Sequence, residues 1–490
     1  MNTGDLWVVT PLAILAGGAI LMYLVGRFIT QRNEILALCT TLILGSALAA
    51  HGWLSVQTLQ ATAGTWPAWG HFAPGGVVLR ATPPTLLMGS IALALGLFSA
   101  LYSGRYMTLD QHYITYYPLL LLFLTGLLGM VSSADLFNLY LFCEMMSIAG
   151  YVLVAFRRRT DTAIEAGFKY LILGSVGTLM MAMGITLIYR QTGSVALEQP
   201  GILTGMWGRA GLIFLWVGLG VKSALVPLHT WLPDAYGNAP SSISALFSGI
   251  ASQSAFYILL KISLDMGLPP YELGLAFLVI SFVNMTLGNL MALMQTNVKR
   301  LLAYSSIAQT GYVLFGVGIG LRYGIPEAIQ AGFFLILTQA VAKSLAFLGT
   351  GVADFYCGTS TIADLRGIAR RLPLTAILFG IALASLVGLP PLVGFTGKWF
   401  LLAETLPAAA PVVYVGTFIF LINVLISLGY YLPLLAALFM VPARDAGEPM
   451  PARIPVSLWM TVPLVLLGLL VIGMGLYPGP WWTMAAWAIY

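Results

Sequence analysis

Long apolar runs recur along the whole chain, and they constrain the fold more than any other feature of the sequence. Each run is about 20 residues long, enough for a helix to cross a bilayer with a hydrocarbon core about 30 Å thick. Hydrophobic residues make up 59% of the 490 residues and charged residues only 8%, whereas soluble domains carry roughly 25% charge. Alternating segments typical of a membrane β-barrel are absent from the sequence. The sequence therefore predicts an all-α, polytopic membrane protein.

We count fourteen spans. Their approximate centres are residues 16, 44, 94, 122, 145, 177, 217, 251, 283, 311, 339, 387, 424 and 466. Most connections between them are short. The three cysteines, Cys39, Cys143 and Cys357, are far apart and form no CxxC pair, which argues against a metal cluster or a disulfide framework.

The basic residues predict the orientation of the chain. Thirteen follow odd-numbered spans, whereas four lie in or beside loops after even-numbered spans. Because basic loops stay in the cytoplasm, both termini are predicted outside, on the periplasmic side of a cell inner membrane. The thirteen cytoplasmic residues would be Arg27, Arg32, Arg105, Arg157, Arg158, Arg159, Lys299, Arg300, Arg366, Arg370, Arg371, Arg444 and Arg453. They are spread over several loops, so the net charge of +5 does not indicate a nucleic-acid partner.

Several ionisable residues lie in or near the apolar runs instead of in loops. They are Glu144, Lys169, Lys222, Lys261, Lys343 and Lys398. An ionisable group near the bilayer centre costs several kcal/mol, so it usually faces a protein interior or a wet cavity and marks an ion path.

Each of these residues also has a structural interpretation. Lys261 lies near the end of its run and could extend to the membrane interface. Lys169 follows Glu165 by four residues, as in a helical ion pair. Glu144, Lys222, Lys343 and Lys398 lie deeper, where the alternative is a fixed buried salt bridge.

Two lysine-bearing spans, the seventh and the twelfth, contain helix-breaking residues. Pro227 and Pro233 follow Lys222, and the segment GLPPLVGFTG precedes Lys398. Proline removes a backbone hydrogen bond, and broken helices at membrane depth are tolerated where the freed groups are buried or line a cavity.

Broken spans at equivalent places in two halves of a chain are typical of inverted-repeat transporters. We therefore predict N-terminal helices over 1–105, a first five-helix repeat over 106–267, a second over 268–440 and a C-terminal helix over 441–490.

Five segments together resemble one known family. They are LFCEMMSIAGYVLVAF, EAGFKYLILGSVGTLMMAMGITLIY, GVKSALVPLHTWLPDAYGNAPSSISALFSG, NVKRLLAYSSIAQTGYVLFG and SLVGLPPLVGFTGKWFLLAETL. The chain is similar, over about residues 80–440, to the antiporter-like subunits. These comprise the large proton-channel subunits of complex I, their equivalents in membrane-bound hydrogenases and the large subunits of Mrp-type sodium/proton antiporters. The resemblance implies fourteen core helices with the seventh and twelfth broken.

The resemblance also implies roles for individual residues. Glu144 matches the fifth-helix glutamate and Lys222 the seventh-helix lysine, which form a charge pair that opens and closes as protons move. Lys398 matches the twelfth-helix residue that exchanges protons with the outside. Lys343 resembles an eleventh-helix lysine that would connect the centre to Lys398. His229 resembles the histidine after the broken seventh helix, although a helix-end histidine without a proton role fits equally well.

One position departs from the family pattern. Gln253 stands where the family has a central lysine or histidine, and glutamine does not carry a proton. Either Lys261 takes over two turns later, or water held by Ser252, Gln253 and Ser254 bridges the gap.

The leading hypothesis is a proton-translocating subunit of a redox-driven membrane complex that binds no cofactor itself. Its partners would be homologous antiporter-like subunits, small membrane subunits, lipids and a peripheral iron–sulfur arm. The alternative is a subunit of an Mrp-type sodium/proton antiporter without redox chemistry. A third hypothesis is a membrane scaffold with an inactive channel, which the departure at Gln253 would explain.

Overall fold

The computed structural model describes residues 3–28, 33–60, 68–69, 78–110, 112–157, 161–198, 202–440 and 452–489, and most of these residues are helical. Arg32, Arg158, Arg159 and Arg444, used above for the orientation, lie outside the described residues. The first half contains α1 (Thr3–Phe28), α2 (Asn33–Gln60), α3 (Pro83–Tyr106), α4 (Tyr113–Ser132), α5 (Leu136–Val154), α6 (Asp161–Thr192), α7 (Met206–Lys222), α8 (Leu232–Asn238), α9 (Ser241–Leu246) and α10 (Ser252–Asp265). The second half contains α11 (Pro270–Leu293), α12 (Val298–Tyr323), α13 (Pro326–Cys357), α14 (Pro373–Val387), α15 (Val393–Thr405), α16 (Pro411–Phe439), α17 (Leu458–Leu476) and α18 (Gly479–Ala485).

The remaining regular structure is short. A π-helical turn, Phe247–Ala251, joins α9 to α10. Strands β1 (Ala68–Trp69) and β2 (Leu79–Arg80) pair antiparallel. Single 3₁₀ turns cover Met107–Leu109, Ile202–Thr204, Ile368–Arg370, Leu406–Ala408 and Ala486–Ile489. The predicted all-α, polytopic membrane fold is confirmed.

Twelve helices in the described part of the chain are long and apolar enough to cross a membrane. They coincide with the predicted spans except those centred on 217 and 387, where α7 and the pair α14–α15 lie. α7 has 17 residues, about 26 Å of helix at 1.5 Å per residue, which is less than the bilayer core. The count of fourteen remains a prediction, because it depends on these two interrupted segments.

Proline and glycine lie at both interruptions. After α7 the chain runs irregularly from Ser223 to Trp231 before α8 begins, and Ala224 has φ 52°. α14 ends at Gly388, whose φ of 96° suits a glycine that closes a helix. Four further residues, which include Pro390 and Pro391, separate it from α15. Both connections leave backbone carbonyls at the helix ends without an intrahelical partner.

The core of the molecule is formed by α12 and α13, whose apolar windows are completely buried. α16 and α17 lie at the periphery, with 28% and 39% of their windows buried. α11 and α12 pack at close backbone distance, since a Cβ at Gly311 would lie 2.6 Å from the Met285 nitrogen. Small residues permit such contacts between membrane helices. Lys343 of α13 therefore lies in the most enclosed part of the fold.

Candidate functional site

Three of the predicted site lysines are buried. Lys222, Lys343 and Lys398 are 4%, 0% and 7% exposed. None of them lies within 4.0 Å of a carboxylate oxygen in the part of the chain that the structure describes. Each is held instead by hydroxyl or carbonyl oxygens. A fixed buried salt bridge, the structural alternative for these lysines, is therefore not what the structure contains.

Lys222 is the last residue of α7 and contacts α5. Its Nζ donates hydrogen bonds to Ser147 Oγ at 2.6 Å and to the Tyr151 hydroxyl at 3.0 Å. The C-terminal end of a helix carries partial negative charge, which favours a cation at this position. The interruption after α7 thus leaves Lys222 as a buried residue at a helix terminus inside the fold.

Glu144 lies on the same face of α5 as the two partners of Lys222. Glu144, Ser147 and Tyr151 are spaced by three and four residues, which aligns them along a helix. Glu144 is half-buried and forms no ion pair among the described residues. Glu144 and Lys222 therefore form no ion pair with each other here, and the Lys222 ammonium is bonded to Ser147 and Tyr151 instead.

Gln253 connects the two halves of the chain through α12. Its Nε2 donates a hydrogen bond to Thr310 Oγ1 at 3.0 Å. About one helical turn before this contact, the hydroxyls of Ser248 and Ser306 form a second hydrogen bond at 2.7 Å. The side chain is 1% exposed, and its Oε1 has no hydrogen-bond partner among the described residues. A buried acceptor without a partner is unusual, because desolvation without a hydrogen bond is costly. This polar contact lies at the position where the resemblance led us to expect a lysine or histidine.

Lys343 contacts the other side of the same α12 segment. Its Nζ donates to the Leu302 carbonyl at 2.8 Å and also to Ser305 Oγ. The run Ser305–Thr310 of α12 is thus bonded to Gln253 on one side and to Lys343 on the other. Nothing in the sequence spacing alone showed that one polar stretch of α12 would serve both residues.

Lys398 caps the interrupted twelfth span. It lies on α15 and donates to the carbonyls of Leu386 and Val387, at 2.9 Å and 2.7 Å, in the last turn of α14. These carbonyls have no intrahelical partner, because α14 ends there. Lys222 is the last residue before the interruption of its span and its ammonium binds side chains of α5, whereas Lys398 follows the interruption of its own span and binds the last carbonyls before it.

The other predicted site residues lie outside this group of buried side chains. Lys169 is 47% exposed and pairs with Glu165 at 2.7 Å and with Asp234 at 3.0 Å. His229 is half-buried in the connection after α7, and its Nδ1 has no partner among the described residues. Lys261 is partly buried near the end of α10 and donates to the Ser133 carbonyl at 3.0 Å. It lies about 12 Å along the helix from Gln253, at 1.5 Å per residue.

Lys299 is a buried lysine that the sequence analysis assigned to a loop. It is 4% exposed and donates to the Ala239 carbonyl, beyond the end of α8, at 2.6 Å. The sequence places it after an odd-numbered span, and only the packing of α8 over the start of α12 reveals its burial. Ser147 and Tyr151 were missed as well, because a hydroxyl on another helix leaves no signal in the sequence.

Comparisons with known proteins agree with the resemblance stated above. Residues 133–427 match the family described as NADH:quinone oxidoreductase/Mrp antiporter, TM. NADH-quinone oxidoreductase subunit N of Desulforudis audaxviator is 30% identical, over 96% of this chain and 95% of that protein.

Two solved structures are similar in fold and sequence. A chain of respiratory complex I from Thermus thermophilus gives a TM-score of 0.76 at 30% identity, over 97% of this chain and 99% of that one. A chain of the membrane-bound sulfane sulfur reductase, an archaeal respiratory membrane complex, gives 0.85 at 26% identity, over 98% and 96%. The family match covers more than half of the chain, and the chain therefore belongs to the NADH:quinone oxidoreductase/Mrp antiporter transmembrane family.

Proposed function

We propose that this chain is a proton-translocating subunit of a redox-driven membrane complex of the complex I or membrane-bound hydrogenase type. The observation that carries the proposal is the set of three buried lysines without a carboxylate partner within 4.0 Å among the described residues. A buried charge without a counter-ion is strongly destabilising, so a purely structural role does not account for three of them. A lysine solvated only by hydroxyl and carbonyl oxygens can exist with or without its proton.

The proposed proton path is a row of polar groups across the middle of the membrane. It begins at Glu144 and Lys222, continues through Gln253 and the α12 hydroxyls, and reaches Lys343 and Lys398. Contacts between Gln253 and Thr310, and between Lys343 and Ser305, support the continuity of the central part. A protonated member raises the cost of protonating its neighbours, because Coulomb repulsion is strong at low dielectric.

Lys222 would act as the switch at one end of this row. Ser147 lies one turn from Glu144 on α5, so a movement of the ammonium by about one helical pitch, roughly 5.4 Å, would close the ion pair. With the pair closed, Lys222 retains its proton. With the pair open, as here, Ser147 and Tyr151 hold the ammonium and the proton is free to move along the row.

The alternative is a subunit of an Mrp-type sodium/proton antiporter. The family description names both kinds of complex, and the same buried lysines serve either one. The two functions differ in their partners, since only the redox complex needs an electron-transfer arm. The expected partners are homologous antiporter-like subunits and small membrane subunits, with an iron–sulfur arm in the redox case. The chain itself is expected to bind no cofactor.

Purification of the intact complex through this chain tests the proposal. Mass spectrometry should identify iron–sulfur subunits of the hydrogenase or quinone-reductase kind, and reconstituted vesicles should acidify on addition of electron donor and acceptor. Small antiporter-type membrane subunits alone, with proton movement driven by a sodium gradient, would instead establish the secondary antiporter.

A further inference from the structure

A stripe of polar residues runs along α10 from the buried middle of the fold to the C-terminal end of that helix. Gln253, Tyr257, Lys261 and Asp265 are spaced by four residues, which places them on one face of the helix, each about 6 Å further along the axis. Every member can donate or accept a hydrogen bond or carry a proton. The stripe begins at Gln253, a member of the proposed row.

The burial of these four side chains decreases along the stripe. Gln253 is 1% exposed and Tyr257 is 4% exposed, whereas Lys261 and Asp265 are only partly buried. The inner end is therefore enclosed by protein and the outer end is open. A path with this gradient of burial would connect the dry interior of the protein to water.

The outer end of the stripe opens into a polar cavity of about 320 Å³. Tyr257, Lys261 and Asp265 line it together with Arg80 and Glu198, which form an ion pair at its edge. The rest of the lining comes from segments after the second, fourth and sixth predicted spans, from α10, from the first part of α13 and from the last described residues of the chain. All of these places lie on the predicted outer side. The Arg80 and Glu198 side chains are 35% and 66% exposed, so the edge of the cavity is accessible.

Lys261 lies in this cavity without a fixed counter-ion. Its Nζ donates to the Ser133 carbonyl at 3.0 Å, and no carboxylate of the described residues is within 4.0 Å of it. Asp265 lies one turn further out and forms no ion pair among the described residues either. Asp265 is therefore a carboxylate one turn from Lys261 that is not bound to it in a permanent ion pair.

We propose that this cavity is a proton-exchange site of the first five-helix unit, in which Lys261 passes protons between Tyr257 and Asp265. The proposal rests on the proton-translocating function proposed above. It gives the chain a second opening on the predicted outer side, separate from Lys398, and it assigns to Lys261 a terminal role instead of that of the missing central lysine.

The transfer conserves protons at every group. The Tyr257 hydroxyl accepts a proton on its oxygen from the interior as its own proton passes to a neutral Lys261 amine, so the tyrosine never ionises. The Lys261 ammonium then gives a proton to the Asp265 carboxylate, and Asp265 releases it to water. Lys261 ends as the neutral amine with which the cycle began.

Chemical rescue in the assembled complex tests this assignment. Lys261→Cys is made in a chain whose Cys39, Cys143 and Cys357 are replaced by alanine, and the complex is reconstituted in sealed vesicles. Two thiol reagents are applied from each side in turn. An aminoethyl methanethiosulfonate adds an amine that can exchange a proton, whereas the trimethylammonium-ethyl analogue adds a permanent charge of similar reach. The cavity has room for either group.

We expect Lys261→Cys to lose most of its proton translocation per electron transferred while electron transfer continues. The aminoethyl reagent, applied from the predicted outer side, should restore translocation, and the trimethylammonium analogue should not. The matched control is Arg366→Cys, an exposed basic residue in the connection before α14 on the predicted cytoplasmic side, for which no loss is expected. Tyr257→Phe, which retains the ring packed against Phe333 at 6.4 Å between centroids, should reduce translocation even if Lys261→Cys assembles poorly.

Three results would overturn the assignment: full translocation in both variants, rescue by the permanent charge as well as by the amine, or reaction only from the cytoplasmic side. Lys222→Ala separates this failure from failure of the proposed function. Translocation that depends on Lys222 but not on Lys261 or Tyr257 refutes only the outer exchange site, whereas translocation that survives Lys222→Ala refutes the proposed function itself.

Discussion

At the scale of single residues, the buried lysines are defined by the oxygens around them. Lys222 has two hydroxyls, Lys398 two carbonyls, and Lys343 one of each. Neutral oxygens accept hydrogen bonds from an ammonium group but do not neutralise its charge, so they hold it less tightly than a carboxylate would. In such an environment, the proton affinity of each lysine depends on the charge of the neighbouring lysine.

Gly388 is the residue whose substitution should affect Lys398 most directly. A Cβ there would lie 3.1 Å from Lys398 Cδ and 3.3 Å from its Nζ, and the φ of 96° strains any other residue. Gly388→Ala should therefore displace the ammonium from the α14 carbonyls and lower proton translocation, besides a backbone cost of about 1–2 kcal/mol.

Gly324→Ala is the matched control for that prediction. Gly324 ends α12 with φ 68° and has no atom within 4 Å of an added Cβ. It should show the backbone cost in thermal unfolding but no change in proton translocation. Equal translocation in both variants would show that the position of Lys398 is unimportant.

Gln253→Leu tests the contact that bridges α10 and α12. The substitution removes the hydrogen bond to Thr310 and the free Oε1 but preserves most of the volume, so we expect assembly with reduced proton translocation. Gln330→Leu is the control, because Gln330 is also buried but donates to the Trp482 carbonyl outside the row. Unchanged translocation in Gln253→Leu would show that protons bypass this residue.

At the scale of helices, two ion pairs of one aspartate connect the short α8 to its neighbours. Asp234 binds Lys169 of α6 at 3.0 Å and Arg300 of α12 at 2.8 Å. Asp234→Asn should lower the thermal stability of the complex more than Glu165→Gln does, because Glu165 pairs with Lys169 within α6 alone. Thermal unfolding of the purified complex compares the two, and equal midpoints would mean that these ion pairs contribute nothing between helices.

The helices were largely predictable, and the contacts between them were not. Hydropathy and length locate each span because the bilayer imposes both, and Pro227 and Gly388 mark the interruptions because of their backbone geometry. The burial of Lys299 depends on α8 folding back over the start of α12, about 60 residues away in sequence. Likewise, Ser147 and Tyr151 become partners of Lys222 only through the packing of α5 against the end of α7. The local sequence does not predict such contacts between distant segments.

At the scale of the whole molecule, one cavity is lined by segments after the second, fourth and sixth predicted spans, by α10 and the first part of α13, and by Ala488 and Ile489 near the C-terminus. Asp110 and Asp354, which follow the third and eleventh predicted spans, instead meet at Arg157, after the fifth. Residues after even-numbered spans thus meet one another, and so do residues after odd-numbered spans. This is what an even number of membrane crossings, with both chain ends on one side, predicts. Protease-sensitive tags at both termini should be cleaved from the same side in oriented vesicles, and a tag in the 366–371 loop from the other. Termini on opposite sides would refute the predicted topology.

The most direct test of the account is proton translocation per electron transferred by the intact complex carrying Lys222→Ala, measured in vesicles beside the unmodified complex. We predict that the variant assembles with its partner subunits, because Lys222 makes two hydrogen bonds and no ion pair among the described residues, and that its proton translocation through this chain is abolished. An assembled complex with an unchanged ratio of protons to electrons would contradict the account and leave the chain as a membrane scaffold.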